Sequence, residues 1–215
     1  MFYETIANGH GLKHDPFKAL VVPRPIGWIS TISSAGICNL APYSFFNAVG
    51  EYPHYVVFSS SGPKDSLANI AETGEFVCSL ATFDLRFNMN MTSAPVPRGV
   101  DEFPIGGLTA VPSRLVKPPR VKQSPAAFEC RHWKTVELPP LPGGKRGNSV
   151  VFGQVVGVFI DDAFIVEGMV DTGAMRPIAR LGYMQYAVVT PETMFSITRP
   201  SAEEAMARLE RKAAE

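Results

Sequence analysis

Proline and glycine set the limits on what this chain can become. Nineteen prolines and eighteen glycines are spread along 215 residues. Each proline removes a backbone donor and pushes the residue before it out of the helical region. What lies between the breaks is mostly short runs rich in β-branched and aromatic residues rather than long stretches of helical period. The chain therefore reads as mainly β. Candidate strands are 26–33, 37–46, 55–60, 75–81, 126–136, 149–160, 163–166 and 186–189, and eight strands are enough to close a barrel.

The first two candidates are joined by Ser34-Ala35-Gly36, a short connection with a glycine where a hairpin turn needs a left-handed residue. In 149–160 both alternating faces are apolar, with Val150, Phe152, Val156, Val158 and Ile160 on one and Val151 and Val155 on the other. Such a strand is expected to be covered on both sides, inside a barrel wall or at a subunit interface, and a dimer in solution is expected. Three short helices stand out. In 65–73, Leu67, Ile70 and Ala71 make a buried stripe and Gly74 stops the helix. A second helix is expected over 84–91. A third runs from Ser201, where Ser201 and Glu204 form a capping box and Ala202, Ala205, Met206 and Leu209 line one face. This C-terminal helical tail, 201–215, is expected to dock on the body or on a second subunit. The Pro-rich connectors 95–104 and 139–146 read as surface loops rather than linkers, and residues 1–215 as a single domain.

Composition removes several function classes. With 46% hydrophobic and 19% charged residues the chain has apolar surface to bury and lacks the signature of disorder. Twenty basic residues balance twenty acidic ones, so no overall positive field draws in nucleic acid or an anionic membrane. The N-terminus has neither a basic start nor an apolar core segment, which argues against a secretory signal and for a cytoplasmic protein. Residues 25–50 carry no charge, yet Ser30, Thr31, Ser33, Ser34, Asn39, Ser44 and Asn47 make the stretch too polar to span a membrane. Cys38, Cys78 and Cys130 are far apart and odd in number, with no metal-ligand spacing, so neither a disulfide framework nor a metal site is expected.

Two segments could carry chemistry. In Ser59-Ser60-Ser61-Gly62-Pro63-Lys64-Asp65-Ser66, a hydroxyl-rich strand end leads through a Gly-Pro turn into a helix. Free N–H groups, the positive end of the helix dipole, hydroxyls and one ammonium suit a phosphate monoester. The same residues also read as a helix capped by Asp65 or Ser66 beside a solvated Lys64. The second segment is the uncharged hairpin itself. Its aromatic and apolar surface carries neutral donors and acceptors, as a flat heterocycle with carbonyl and imino edges requires, or as an ordinary half-buried hairpin would have. There is no dinucleotide-binding glycine fingerprint, phosphate-loop motif, nucleophile elbow or zinc-protease motif, and the four histidines do not cluster. His132 and Cys78 read as structural residues rather than as machinery. No catalytic residue is named.

In order, Arg24-Pro25-Ile26-Gly27-Trp28-Ile29-Ser30-Thr31, then Asn39-Leu40-Ala41-Pro42-Tyr43-Ser44-Phe45-Phe46-Asn47, then Lys64-Asp65-Ser66 with Asn69-Ile70, resemble the flavin reductase-like FMN-binding proteins. The resemblance continues through Gly99-Val100-Asp101-Glu102-Phe103, Gly107-Leu108-Thr109, 153–162, Arg180-Leu181-Gly182 and Tyr186-Ala187, and covers about residues 15–190. It implies a split β-barrel, a homodimer and one FMN per subunit near the dimer interface. Carried over residue by residue, Trp28, Ser30, Thr31, Ser44, Phe45 and Asn47 would lie along the flavin. Ser60, Ser61, Lys64, Asp65 and Ser66 would surround the phosphate, with Asp65 a cap rather than a ligand. The implied activity is an oxidoreductase that takes hydride from NADH or NADPH onto FMN and passes electrons to a second acceptor or a redox partner protein. The alternative is a flavoredoxin-like electron carrier without a substrate site of its own. One departure bears on that choice: the family often has a His where this chain has Phe159, which touches nicotinamide specificity more than FMN binding.

Overall fold

In a computed structural model of the chain, which describes residues 1–144 and 147–213, seven strands form one antiparallel sheet. They are β1 (Gly27–Ile32), β2 (Cys38–Tyr43), β3 (Phe46–Glu51), β4 (His54–Ser61), β5 (Glu75–Leu80), β6 (Ala126–Leu138) and β7 (Asn148–Ile160). Across the sheet they run β2-β1-β5-β6-β7-β4-β3. The two outer strands, β2 and β3, are consecutive in sequence, with only Ser44 and Phe45 between them. The sheet must therefore curl until its edges meet. The Ser59 N–H ties the corner by donating to the Phe45 carbonyl at 2.8 Å, while no ladder joins β2 to β3 among the described residues. The result is a split barrel, mainly β, with short helices at its ends and a helix at the C-terminus.

The β1–β2 hairpin forms as its turn residues require, with Gly36 at φ 82° and the Ser33 N–H donating to the Ile37 carbonyl at 2.9 Å. The expected single strand over 37–46 does not. It breaks at Ser44 and Phe45, and Phe46 starts a new strand on the opposite edge of the sheet. Phe46 turns inward over Gly27, where a Cβ would meet its ring at 2.5 Å. An uncharged run with apolar residues on both sides of the corner concealed it, because Tyr43 and Phe46 pack against one core.

That core has two main parts. Ile29, Phe58, Phe76, Cys130 and Val151 fill the barrel, and Ile70 of the helix Asp65–Thr73 closes one end. Trp28, Leu40, Met89, Phe103 and Ile178 pack outside the wall, beneath the short helices Arg86–Met91 and Glu102–Ile105. β1 runs between the two parts, so both of its faces are buried. A small three-stranded sheet (Arg24–Pro25, Ile178–Arg180, Tyr186–Val188) flanks the barrel.

Several expected elements shift. The helix expected over 84–91 begins at Arg86. Within 163–166 only Ile165–Val166 is strand; it pairs with Met169–Val170 across Glu167 and Gly168, both at positive φ as a two-residue hairpin demands. β7 is covered on both faces only in part: Val151 is buried, but Val158 is 56% exposed. The connector 139–146 ends in residues 145 and 146, outside the described residues. The tail helix, Ala202–Ala213, has its capping box, with the Ser201 N–H donating to Glu204 Oε2 at 2.8 Å and the Glu204 N–H donating to Ser201 Oγ at 3.1 Å. Met206 and Leu209 are nevertheless exposed, as are Phe195 and Ile197 before them. The body does not cover that stripe among the described residues, and residues 194–201 before the helix have no regular structure.

Candidate functional site

The turn Gly62-Pro63-Lys64 delivers the chain into the helix Asp65–Thr73 with Lys64 at the N-cap in extended conformation, and no side chain caps the helix. Its first N–H groups are left open; the Ala68 N–H is the first to find a carbonyl, that of Lys64 at 3.1 Å. They face a cavity of about 290 Å³ lined by Asn39, Pro42, Tyr43, Lys64, Ser66 and Ser93, among others. Near it, at the end of β4, Ser60 is buried and its Oγ has no hydrogen-bond partner among the described residues. Burial raises the pKa of the Tyr43 phenol, with the Ser66 hydroxyl pulling the other way, so Tyr43 stays a neutral donor near neutral pH.

Two carboxylates share this cavity wall, and both are occupied. Glu102 accepts from the Leu40 N–H at 2.9 Å and from Asn39 Nδ2 at 2.9 and 3.0 Å. Asn39 Oδ1 in turn accepts from Ser66 Oγ at 2.7 Å and from Thr31 Oγ1 at 3.3 Å, and Asn69 Nδ2 donates to Thr31 Oγ1 at 3.0 Å. This buried network fixes β1, β2 and the helix start to one another. Burial raises the pKa of Glu102 against the pull of these hydrogen bonds, and the charge of Asp65 adds to the rise. Asp65 reaches instead to the next loop, accepting from the Gly99 N–H at 3.3 Å and lying 3.9 Å from Arg98 Nε. Lys64 is in no ion pair among the described residues. An anion arriving here meets open donors and an unpaired ammonium.

Pro42 and Ser93 are shared with a second cavity, of about 450 Å³. Its wall carries Lys18, Arg24, Ser44, Arg180 and Tyr186. Arg24 is buried and donates from Nη1 to the Lys18 and Val21 carbonyls at 2.5 and 2.6 Å, from Nη2 to the Leu181 carbonyl at 2.9 Å and from Nε to Ser44 Oγ at 3.5 Å. A third cavity of about 320 Å³, walled by Phe83, Phe87, Ile178 and Val188, shares Met89, Asn90 and Tyr186 with the second. The three make one groove, from the helix start past the Ser44 corner to an apolar end.

A family model described as the flavin reductase like domain matches residues 19–185. The chain belongs to that family. It is 38% identical over 173 residues to an uncharacterized protein of Aquifex aeolicus, covering 78% of this chain and 85% of that one. The structure of 2-nitrobenzoate 2-nitroreductase from Pseudomonas fluorescens superimposes with TM-score 0.79 at 28% identity, over 94% of this chain and all of that one. A split barrel domain from Shewanella frigidimarina superimposes with TM-score 0.76 over 93% and 94% of the two chains. At 22% identity that likeness speaks to fold alone.

Of the residues proposed from sequence, the structure brings Ser44, Lys64, Asp65 and Ser66 onto the groove. Phe45 lies at its edge, its ring centre 6.0 Å from Lys18 Nζ and 5.9 Å from the Arg24 guanidinium. Ser60 and Ser61 stand at the strand end beside it. Trp28, Ser30 and Thr31 are fully buried, and their polar atoms are committed inside the chain: Trp28 Nε1 donates to Thr92 Oγ1 at 2.9 Å, Ser30 Oγ donates to the Pro119 carbonyl at 2.5 Å, and Thr31 belongs to the Asn39 network. The hairpin's first strand is uncharged and both of its faces are interior, and none of its residues lines these three cavities. Ser66 spends its hydroxyl proton on Asn39, and toward a ligand it keeps its backbone N–H. Asp65 is the first residue of the helix rather than its cap. Asn47 is exposed on β3, accepts from its own neighbour's N–H at 2.9 Å and lines none of these cavities. Tyr43, Glu102, Ser93 and Arg180 were not among the candidates. The signal for Glu102 lay in a carboxylate directly before the apolar Phe103-Pro104-Ile105, whose burial would draw it into a network.

Proposed function

We propose that the part of this groove from the helix start to the Ser44 corner binds FMN and that the chain is a flavin reductase-like oxidoreductase using NADH or NADPH. The observation that carries the reading is the uncapped start of the helix Asp65–Thr73 beside the orphaned, buried Ser60 hydroxyl and the unpaired Lys64. These are the donors a phosphate monoester needs, and they lie in a family that binds flavin. The phosphate would be held by Ser60, Ser61, Lys64 and the N–H groups of residues 65–67, with Ser66 and Asp65 shaping the loop. Pro42, Ser44 and Phe45 would meet the ring end; Asn47 and the buried β1 residues are not in the proposed set. When bound, FMN supplies the redox chemistry, accepting hydride from the nicotinamide nucleotide and giving electrons to a second acceptor. The protein's own part is to bind, orient and limit access: Tyr43 stays a neutral donor beside the phosphate end, and the Glu102–Asn39–Ser66 network holds that end in place.

The nitroreductase at 28% identity supports an enzyme rather than a carrier. So do the cavities beyond Ser44, for which a flavoredoxin-like carrier working only with a redox partner protein has no use. A homodimer fits the exposed Met206, Leu209, Trp133 and Val158, and light scattering checks it: a 23.4 kDa species at micromolar concentration contradicts the dimer. For the activity, purified protein is to be loaded with FMN and mixed anaerobically with NADH or NADPH. Bleaching of the flavin band is the expected result. A yellow protein that ignores both nucleotides selects the carrier.

A further inference from the structure

Arg24 and Arg180 face each other across an antiparallel ladder, as direct partners where Arg24–Pro25 pairs with Ile178–Arg180. Like charges at opposed ladder positions repel and cost stability. Arg24 is also only 5% exposed, a setting in which a guanidinium is ordinarily paired with a carboxylate. Its hydrogen bonds go to three main-chain carbonyls and the Ser44 hydroxyl, and neither arginine is in an ion pair among the described residues. Arg180 donates to the Tyr186 hydroxyl and the Tyr183 carbonyl, both at 2.5 Å. Burial and the charge of Arg180 both lower the pKa of Arg24. Lys18 adds a third cation to the same cavity, against the one carboxylate of Asp15. In a chain with formal net charge zero, this wall holds three cations to one anion.

A local rule broken with no anionic partner among the described residues to offset it points to a functional site. An anion between Arg180 and Lys18 would supply the missing charge. The adjoining cavity, with Phe83, Phe87 and Ile178, is large enough at about 320 Å³ for one ring; its polar lining is Asn90, Tyr186 and Arg86, whose guanidinium lies 3.8 Å from the Phe83 ring centre and 4.4 Å from that of Phe87, a fourth cation at this end of the groove. We infer that the two cavities together take a small organic anion, its carboxylate or phosphate head against Arg180 and Lys18 and its ring-sized apolar body against Phe83, Phe87 and Ile178. Resting on the flavin reading, this ligand is the enzyme's second substrate. Arg24 sits behind the head as a buried positive floor, and Tyr186 forms the wall common to both halves.

The test is calorimetric titration of the FMN-loaded full chain with benzoate, benzyl alcohol and inorganic phosphate, with flavin absorbance recorded to follow FMN. Benzoate is expected to bind at least about tenfold more tightly than benzyl alcohol, the effect of roughly one charge-assisted hydrogen bond. It is also expected to bind more tightly than phosphate, which lacks the ring. Arg180→Gln, and separately Lys18→Gln on the exposed rim, are expected to bring benzoate down to the level of the alcohol while FMN affinity stays within about twofold. The inference fails if benzoate binds no better than benzyl alcohol, if phosphate binds as well as benzoate, or if both variants bind benzoate like the parent. It fails also if benzoate displaces FMN, since the cations would then belong to the flavin. Should the chain not bind FMN at all, the same titration on the flavin-free protein judges the anion site alone: discrimination upholds it while the flavin reading falls.

Discussion

The two polar stretches of the groove, the helix start and the cavity beyond Ser44, are built on opposite electrostatic plans. At the helix start the charged residues are acidic in majority, and their charge is consumed: Glu102 by Asn39 and the Leu40 N–H, Asp65 by the Gly99 N–H and Arg98. What remains open is a set of neutral donors and one lysine. Beyond Ser44 the charged residues are basic in majority, and among the described residues nothing anionic pairs with them. The first end is organised before any ligand arrives, because its network ties together β1, β2 and a helix. The second keeps an unrelieved repulsion between Arg24 and Arg180. A preorganised donor set suits a cofactor that stays; an unrelieved charge suits a ligand that comes and goes.

The largest break in this comparison comes at the organised end. Glu102→Ala removes the acceptor of three N–H bonds and leaves Asn39 and the Leu40 amide buried without partners. A loss of about 3 kcal/mol in unfolding free energy is expected, in the range for breaking a buried hydrogen-bonded charge, and chemical denaturation measures it. Next is Ser60→Ala with Lys64→Ala, which is expected to weaken FMN binding by about 2–4 kcal/mol, the sum of typical charge-assisted bonds, in a protein that stays folded. Quenching of flavin fluorescence measures that, and an unchanged affinity would remove the phosphate from this end.

A third test uses pH. Burial holds the pKa of Glu102 above that of the unfolded chain, so between the ordinary carboxylate range and the raised value the folded state binds the proton more readily. The contribution of Glu102 is therefore most favourable on the acid side and declines as pH rises through its folded pKa. The difference in stability between the parent and Glu102→Gln, followed across that window, should fall with pH; a rise would reverse the assignment. The smallest effect is expected at the basic end: Arg180→Gln should stabilise the protein by about 0.5 kcal/mol, by removing one of two opposed like charges. Thermal melts at low salt would register it, and destabilisation would argue that the arginines are structural.

Much of the fold was legible because the local signals were strong. Gly36 and Gly74 terminate a strand and a helix where backbone geometry demands, and the helix Asp65–Thr73 and the Ser201–Glu204 box follow directly from spacing. The corner at Ser44 was not legible. Residues 37–46 are uncharged throughout, and only the sheet order reveals that the chain crosses there from one edge of the barrel to the other. The site divides along the same line. The Lys64 segment shows its chemistry in sequence, since an open helix start is a local property. The role of β1 did not, because an uncharged strand looks alike whether it lines a pocket or is buried on both faces. The opposition of Arg24 and Arg180, 156 positions apart in sequence, exists only through the ladder pairing.

The central claim is that the helix start holds the phosphate of FMN, and direct titration tests it. Purified full-length protein, freed of any flavin, is titrated with FMN and with riboflavin while flavin fluorescence is followed. The account predicts saturation at one FMN per chain and binding of riboflavin weaker by about 100-fold or more, the loss of roughly two charge-assisted hydrogen bonds. Equal affinity for the two, or no binding of either, would contradict it.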